Sequence, residues 1–170
     1  MPVSLYQLTV PALIRGLENL SAQIDKASSF VQENGIEQAD LVQARLAPDM
    51  LTFAGQVQRA SDTAKFGGAR LSQDAQAPSF ADEETTLAQL QERIARTVAY
   101  LRGVQAGAID GGEQREIRFK AGPRELQFSG EDYARSFLLP NFYFHVTTAY
   151  GLLRHKGVPL GKLDYLGQIQ

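Results

Sequence analysis

Residues 10–33 read VPALIRGLENLSAQIDKASSFVQE, and the spacing of apolar side chains in this stretch decides the fold. Leu13, Leu17, Leu20, Ile24, Ala27 and Val31 recur every three or four positions. At ~100° per residue they fall on one stripe of a helix. Thr9 before Pro11 supplies a start, since a proline in a first turn gives up only an N–H that has no helical partner. Asn34-Gly35 supplies the stop, because glycine readily takes the left-handed conformation that ends helices. The spacing therefore predicts a first helix over Val10–Glu33.

The same period recurs downstream. A second helix is expected from near Glu37, with Leu46, Met50, Phe53, Val57, Ala60 and Ala64 as its core stripe. Arg45, Asp49, Thr52, Gln56 and Arg59 form a polar ridge beside it, Pro48 predicts a kink or break, and Gly67-Gly68 weakens the far end. A polar linker follows from Ser72 to Glu84. Thr86 and Gln89 then have the spacing of a capping box and open a third helix carrying Leu87, Leu90, Ile94, Val98 and Leu101, which fades by Gly103. The period next changes to two: Ile117 and Phe119 alternate with charged residues, as do Leu126 and Phe128, around Ala121-Gly122-Pro123. That pattern predicts a β-hairpin with one apolar face. Ser129 begins a last helix over Gly130–His155, dense in aromatic residues and kinked at Pro140. Lys156-Gly157-Val158-Pro159 closes it. The tail, with Leu160, Leu163, Tyr165 and Leu166, is apolar enough to pack along the bundle. Four long helical segments with a small hairpin before the last predict an all-α four-helix bundle, a single domain spanning 1–170.

Composition narrows the function. The 170-residue chain is 44% apolar with a net charge of −2. Its charges are interspersed, so it lacks the basic stripe of a nucleic-acid binder or a polybasic membrane anchor. No apolar run approaches the roughly 20 residues of a transmembrane helix, and Met1-Pro2-Val3-Ser4 opens no signal peptide. Cysteine is absent, which removes disulfides, thiol nucleophiles and cysteine-bound metals. A reducing cytoplasm is the simplest compartment.

The two histidines, His145 and His155, both fall on the last helix, about 15 Å apart along its axis. They cannot both reach ~2.1 Å from one zinc. His145 shares a stripe with Leu138, Phe142, Ala149 and Leu152. It is either a buried histidine satisfied by a hydrogen bond or a site histidine facing Asp49 or Gln56 on the second helix. His155, between Arg154 and Lys156, suits the negative end of a helix as a cation. Asp49 and Gln56 share a face, whereas Asp62 is turned away; all three also fit a solvated ridge pairing with Arg45 and Arg59. The serines lack a G-x-S-x-G context, and Gly67-Gly68-Ala69-Arg70 is no phosphate loop.

Several segments resemble an uncharacterised bacterial family: Arg45–Met50 (RLAPDM), Gln56–Gln58 (QVQ), Ser61–Lys65 (SDTAK), Pro140–His145 (PNFYFH), Thr148–Tyr150 (TAY) and Gly157–Lys162 (GVPLGK). The similarity extends from Leu5 to Gly167 and is of the DinB-like four-helix bundle type, a group associated with metal-dependent enzymes. The resemblance implies an up-down-down-up bundle and a homodimer formed through helix faces. It also implies a metal site made by one histidine of the second helix and a pair, four residues apart, on the last. His145 matches one of that pair, but Ala149 stands at plus four, and Asp49 is the nearest candidate on the second helix. A nickel or zinc site from His145 and Asp49 would need water or outside ligands.

Two functions follow. One is a non-catalytic bundle, dimeric, holding a small ligand or protein partner. The other is a divergent metal-dependent enzyme of transferase or hydrolase type centred on His145, with Asp49 as ligand or base and Asn141 or Tyr143 orienting. Convergence of Asp49 and His145 in one pocket discriminates them.

Overall fold

The computed structural model describes residues 3–72 and 76–168. Its first element, α1 (Leu5–Asn34), starts five residues earlier than the apolar stripe predicts. Ser4 is the cap: its hydroxyl accepts from Gln7 N–H, and the Gln7 side chain accepts from Ser4 N–H. Thr9 is instead buried, its hydroxyl donating to the Leu5 carbonyl at 2.7 Å. Pro11 thus lies inside the helix. It is tolerated because Pro11 and Gln7 are both exposed, so water can reach the carbonyl that Pro11 leaves without a helical donor. Gly35 closes α1 at φ 62°, as the sequence predicts.

The expected second helix is two. A short α2 (Gln38–Val42) is followed by a loop over residues 43–52, and α3 (Phe53–Leu71) begins at Thr52, whose hydroxyl accepts from Gly55 N–H. Pro48 breaks rather than kinks the helix. The core stripe accordingly starts at Phe53, while Leu46 is 47% exposed. Gly67 and Gly68 do not end α3. Gly67 gives the Leu138 side chain room to lie against the helix, an approach a Cβ would block.

α4 (Leu87–Gly103) carries the predicted Thr86–Gln89 capping box. A short α5 (Ala106–Ile109) leads to the antiparallel hairpin β1 (Glu116–Ala121) and β2 (Arg124–Ser129), with Ile117 opposite Phe128 and Phe119 opposite Leu126. Its apolar face packs on aromatic rings of the following segment; Phe119 meets Phe137 at 5.0 Å and Tyr133 at 5.6 Å between centroids. Arg70 of α3 pins the hairpin, stacking 3.9 Å from the Phe119 ring and donating to the Tyr133 hydroxyl.

The last long segment is α6 (Gly130–Tyr133), a π-helical turn (Ala134–Leu138) and α7 (Leu139–His155). Proline cannot donate from position 140, and the kink expected there takes the form of a widened turn just before it. Gly157 closes α7 at φ 91°. The tail forms α8 (Lys162–Leu166) against α1.

Side-chain pairs give the helix directions. Glu18–Arg102 and Asp25–Gln91 make α1 and α4 antiparallel, while Ser61–Thr97 and the Gly68–Leu101 approach make α3 and α4 parallel. Gln56–His145 and Thr63–Asn141 make α3 and α7 antiparallel. The bundle is therefore up-down-down-up, with α1 and α3 each packed between α4 and α7. Among the described residues, no helix is long and apolar enough to cross a membrane.

Candidate functional site

Gln56 stands in the first turn of α3 and is 2% exposed. Across the helix pair, the Nδ1 of half-buried His145 lies 2.8 Å from Gln56 Oε1. Burial, with a smaller contribution from the nearby Arg59 guanidinium, lowers the His145 pKa from 6.5 to about 4. The imidazole is therefore neutral at neutral pH. With Nδ1–H donating to the amide oxygen, Nε2 is the unprotonated nitrogen. The Phe144 ring stands edge-on to the imidazole at 5.2 Å.

Asn141, one turn back, donates to Thr63 Oγ1 at 2.8 Å and so serves the α3–α7 contact instead of orienting His145. Tyr143 points to the opposite flank of α7, into a cleft with α1 and α8. Asp49 lies exposed in the loop over residues 43–52, off the face it is expected to share with Gln56. The reason is helical phase: the polar ridge extrapolates a regular turn through Pro48, where no helix exists. His155 is exposed in the last turn of α7. Among the described residues, no three His, Asp or Glu side chains are grouped to hold a metal ion. A lone imidazole bonded to an amide does not fit the histidine set that the resemblance implies.

A second polar centre is absent from the sequence reading. Arg93 of α4 is 2% exposed and pairs with Asp62 at 2.8 Å and with Asp82 and Glu84 at 3.0 Å. Its Nε donates to Ser61 Oγ, which bonds Thr97 Oγ1. Asp62 also receives Lys65, 3% exposed, and Arg59. It is thus part of a buried ion network and not of a solvated ridge, and Arg45 bonds the Met50 carbonyl instead. Phe80, from the linker, lies within 4.4–5.3 Å of the cationic groups of Arg96, Lys65 and Arg93. These contacts strap residues 80–84 across α3 and α4. A signal was present: Arg93 interrupts the apolar face made by Leu90, Ile94 and Leu101.

The cleft beside Tyr143 has a volume of about 400 Å³. Its outer wall is α8, held by a polar ladder on α1. Arg15 donates to the carbonyls of Leu166 and Gln168, Asn19 to Tyr165, and Gln23 to Asp164, while Lys26 pairs with the Asp164 carboxylate at 2.7 Å. The tail does pack on the bundle, but through these polar bonds as much as its apolar residues, since Leu163 is 70% exposed.

The model of a domain of unknown function, DUF1993, matches residues 5–166. The chain belongs to this family. A solved structure, that of a DinB family member from Shewanella denitrificans, is 42% identical with a TM-score of 0.88, covering 97% of this chain and 93% of that one. This likeness puts the family's bundle in the DinB-like class and agrees with the helix order above. No curated protein matches the chain.

Proposed function

We propose that this DUF1993 protein is a non-catalytic DinB-like bundle that binds a small ligand or a protein partner, with a degenerate metal position at His145. The observation that carries this reading is the 2.8 Å bond between His145 and Gln56. The one histidine on the bundle face is engaged by a neutral amide, where a metal site would need further anionic or imidazole donors. Elemental analysis of protein purified without an affinity tag, wild type beside His145→Ala, tests it. No stoichiometric metal in either protein after incubation with nickel, zinc and manganese is expected; a stoichiometric metal lost in the variant would overturn the proposal. The alternative, a divergent metal-dependent enzyme centred on His145, draws on the neutral state of the imidazole, which is the ligating form.

The proposal includes a homodimer and a cytoplasmic setting. Phe66 on α3 and Phe144 on α7, 38% and 55% exposed, support association through helix faces. Light scattering across a concentration series reads the mass directly, and a monomer at every concentration would remove the dimer.

A further inference from the structure

We propose that the cleft between α1, α7 and α8 is the ligand site, and that it takes a small amphiphilic carboxylate. The inference deepens the binding function proposed above and rests on it. At about 400 Å³ the cleft lies within the size range of small-molecule sites. Pro11, Ala12, Val146 and Leu166 give it apolar walls suited to an alkyl or aryl group. Among the described residues that line it, Arg15 is the single charged side chain, and no carboxylate balances it.

The guanidinium has donors to spare. Its bonds to the tail carbonyls of Leu166 and Gln168 both leave from Nη2, so none of the described tail residues takes the N–H groups of Nε and Nη1. Each of these N–H groups can give a carboxylate a single charge-assisted bond; the Nη2 group that both two-pronged arginine geometries share is taken by the tail. Tyr143, on the same wall as Val146, adds a phenol. Burial, aided by the neighbouring Tyr165, raises its pKa, so it stays protonated and can donate to an anion at neutral pH. One end of the cleft is thus cationic and donor-rich and the remainder is apolar, which excludes ammonium ligands and favours an anion with a hydrocarbon tail. The site lies on the flank of α7 opposite His145, so it needs no metal.

Isothermal titration with octanoate, 1-octanol and octylamine as probes tests the assignment. Octanoate should bind the wild-type protein at least tenfold more tightly than octanol, with octylamine weakest. Arg15→Gln should reduce octanoate binding to the octanol level while leaving octanol unchanged. Ala12→Trp should abolish both by filling the cleft. Because either change could disturb the tail, Tyr143→Phe and the amide chemical shifts of the wild-type protein serve as independent readouts. A several-fold loss in Tyr143→Phe is expected, with octanoate-induced shifts concentrated at residues 11–19 and 143–146. Equal affinity for octanoate and octanol, no binding of octanoate at millimolar concentration, or shifts located elsewhere would overturn the proposal. Those results would leave the binding function standing with another ligand, whereas a stoichiometric metal lost in His145→Ala would remove that function itself.

Discussion

At the scale of single residues, the His145–Gln56 pair is the feature with the clearest consequence for stability. The imidazole has a pKa of about 4 when folded and about 6.5 when free, so between these values the unfolded chain binds the proton more readily. The stabilisation is complete above pH 6.5 and is lost as the pH falls toward 4. We predict that wild type loses about 2 kcal/mol more than His145→Gln over this interval in urea unfolding. Parallel pH profiles for the two proteins would refute it. Gln56→Ala, which leaves the buried face of the ring without its partner, should cost about 1–3 kcal/mol at pH 7. The pair was half legible in sequence. Gln56 and His145 fall on facing helices of any bundle with these stripes, but Asp49 looked equally close because the period was carried through a proline.

At the scale of elements, the linker strap and the small residues of α3 and α7 allow direct comparisons. Replacing Arg93 with Met would leave Glu84, 13% exposed, without its cationic partner and take from Asp62, 17% exposed, one of the three cations that hold it. Removing one partner of a buried network costs about 3–5 kcal/mol, whereas an exposed pair such as Arg102–Glu18 contributes under ~1 kcal/mol. We therefore expect Arg93→Met to lower the urea midpoint severely and Arg102→Met to leave it nearly unchanged; similar effects would show the network to be no more than a surface feature. Glycine makes a second contrast. Gly151 lies in the interior of α7 with nothing within 4 Å of an added Cβ, so Gly151→Ala should stabilise by about 0.5–1 kcal/mol. Gly67→Ala gains the same propensity but collides with Leu138, and overpacking of about 1–3 kcal/mol should make it a net loss. Thermal unfolding of both variants reads the two signs, and a stabilised Gly67→Ala would mean that Leu138 can move aside.

At the scale of the molecule, what the sequence revealed and what it hid differ by the kind of interaction involved. Helices, hairpin and bundle follow from apolar periodicity, which is written in residue order. The Arg93 network draws on Asp82 and Glu84 from an aperiodic linker, and the α8 clasp uses backbone carbonyls as acceptors, so neither leaves a pattern to read. The clasp also sets the order in which the structure opens. α8 has no fully buried residue and is held to α1 by side-chain bonds from Arg15, Asn19 and Gln23 and one ion pair, several of them solvent-exposed. The α1 core stripe, by contrast, is inaccessible from Val10 to Ala27. Native-state hydrogen exchange should therefore find the Gly167 amide, bonded to Leu163, exchanging by local opening at a small fraction of the global free energy. Amides of α1 and α3 should exchange only on global unfolding. Deleting residues 161–170 should leave a single cooperative transition at a lower midpoint, because Gln23 and Tyr150 lose their cover while the four-helix core is untouched. If α8 exchanged with the core and its deletion abolished folding, the tail would be an integral wall of the bundle instead of a strap laid across it.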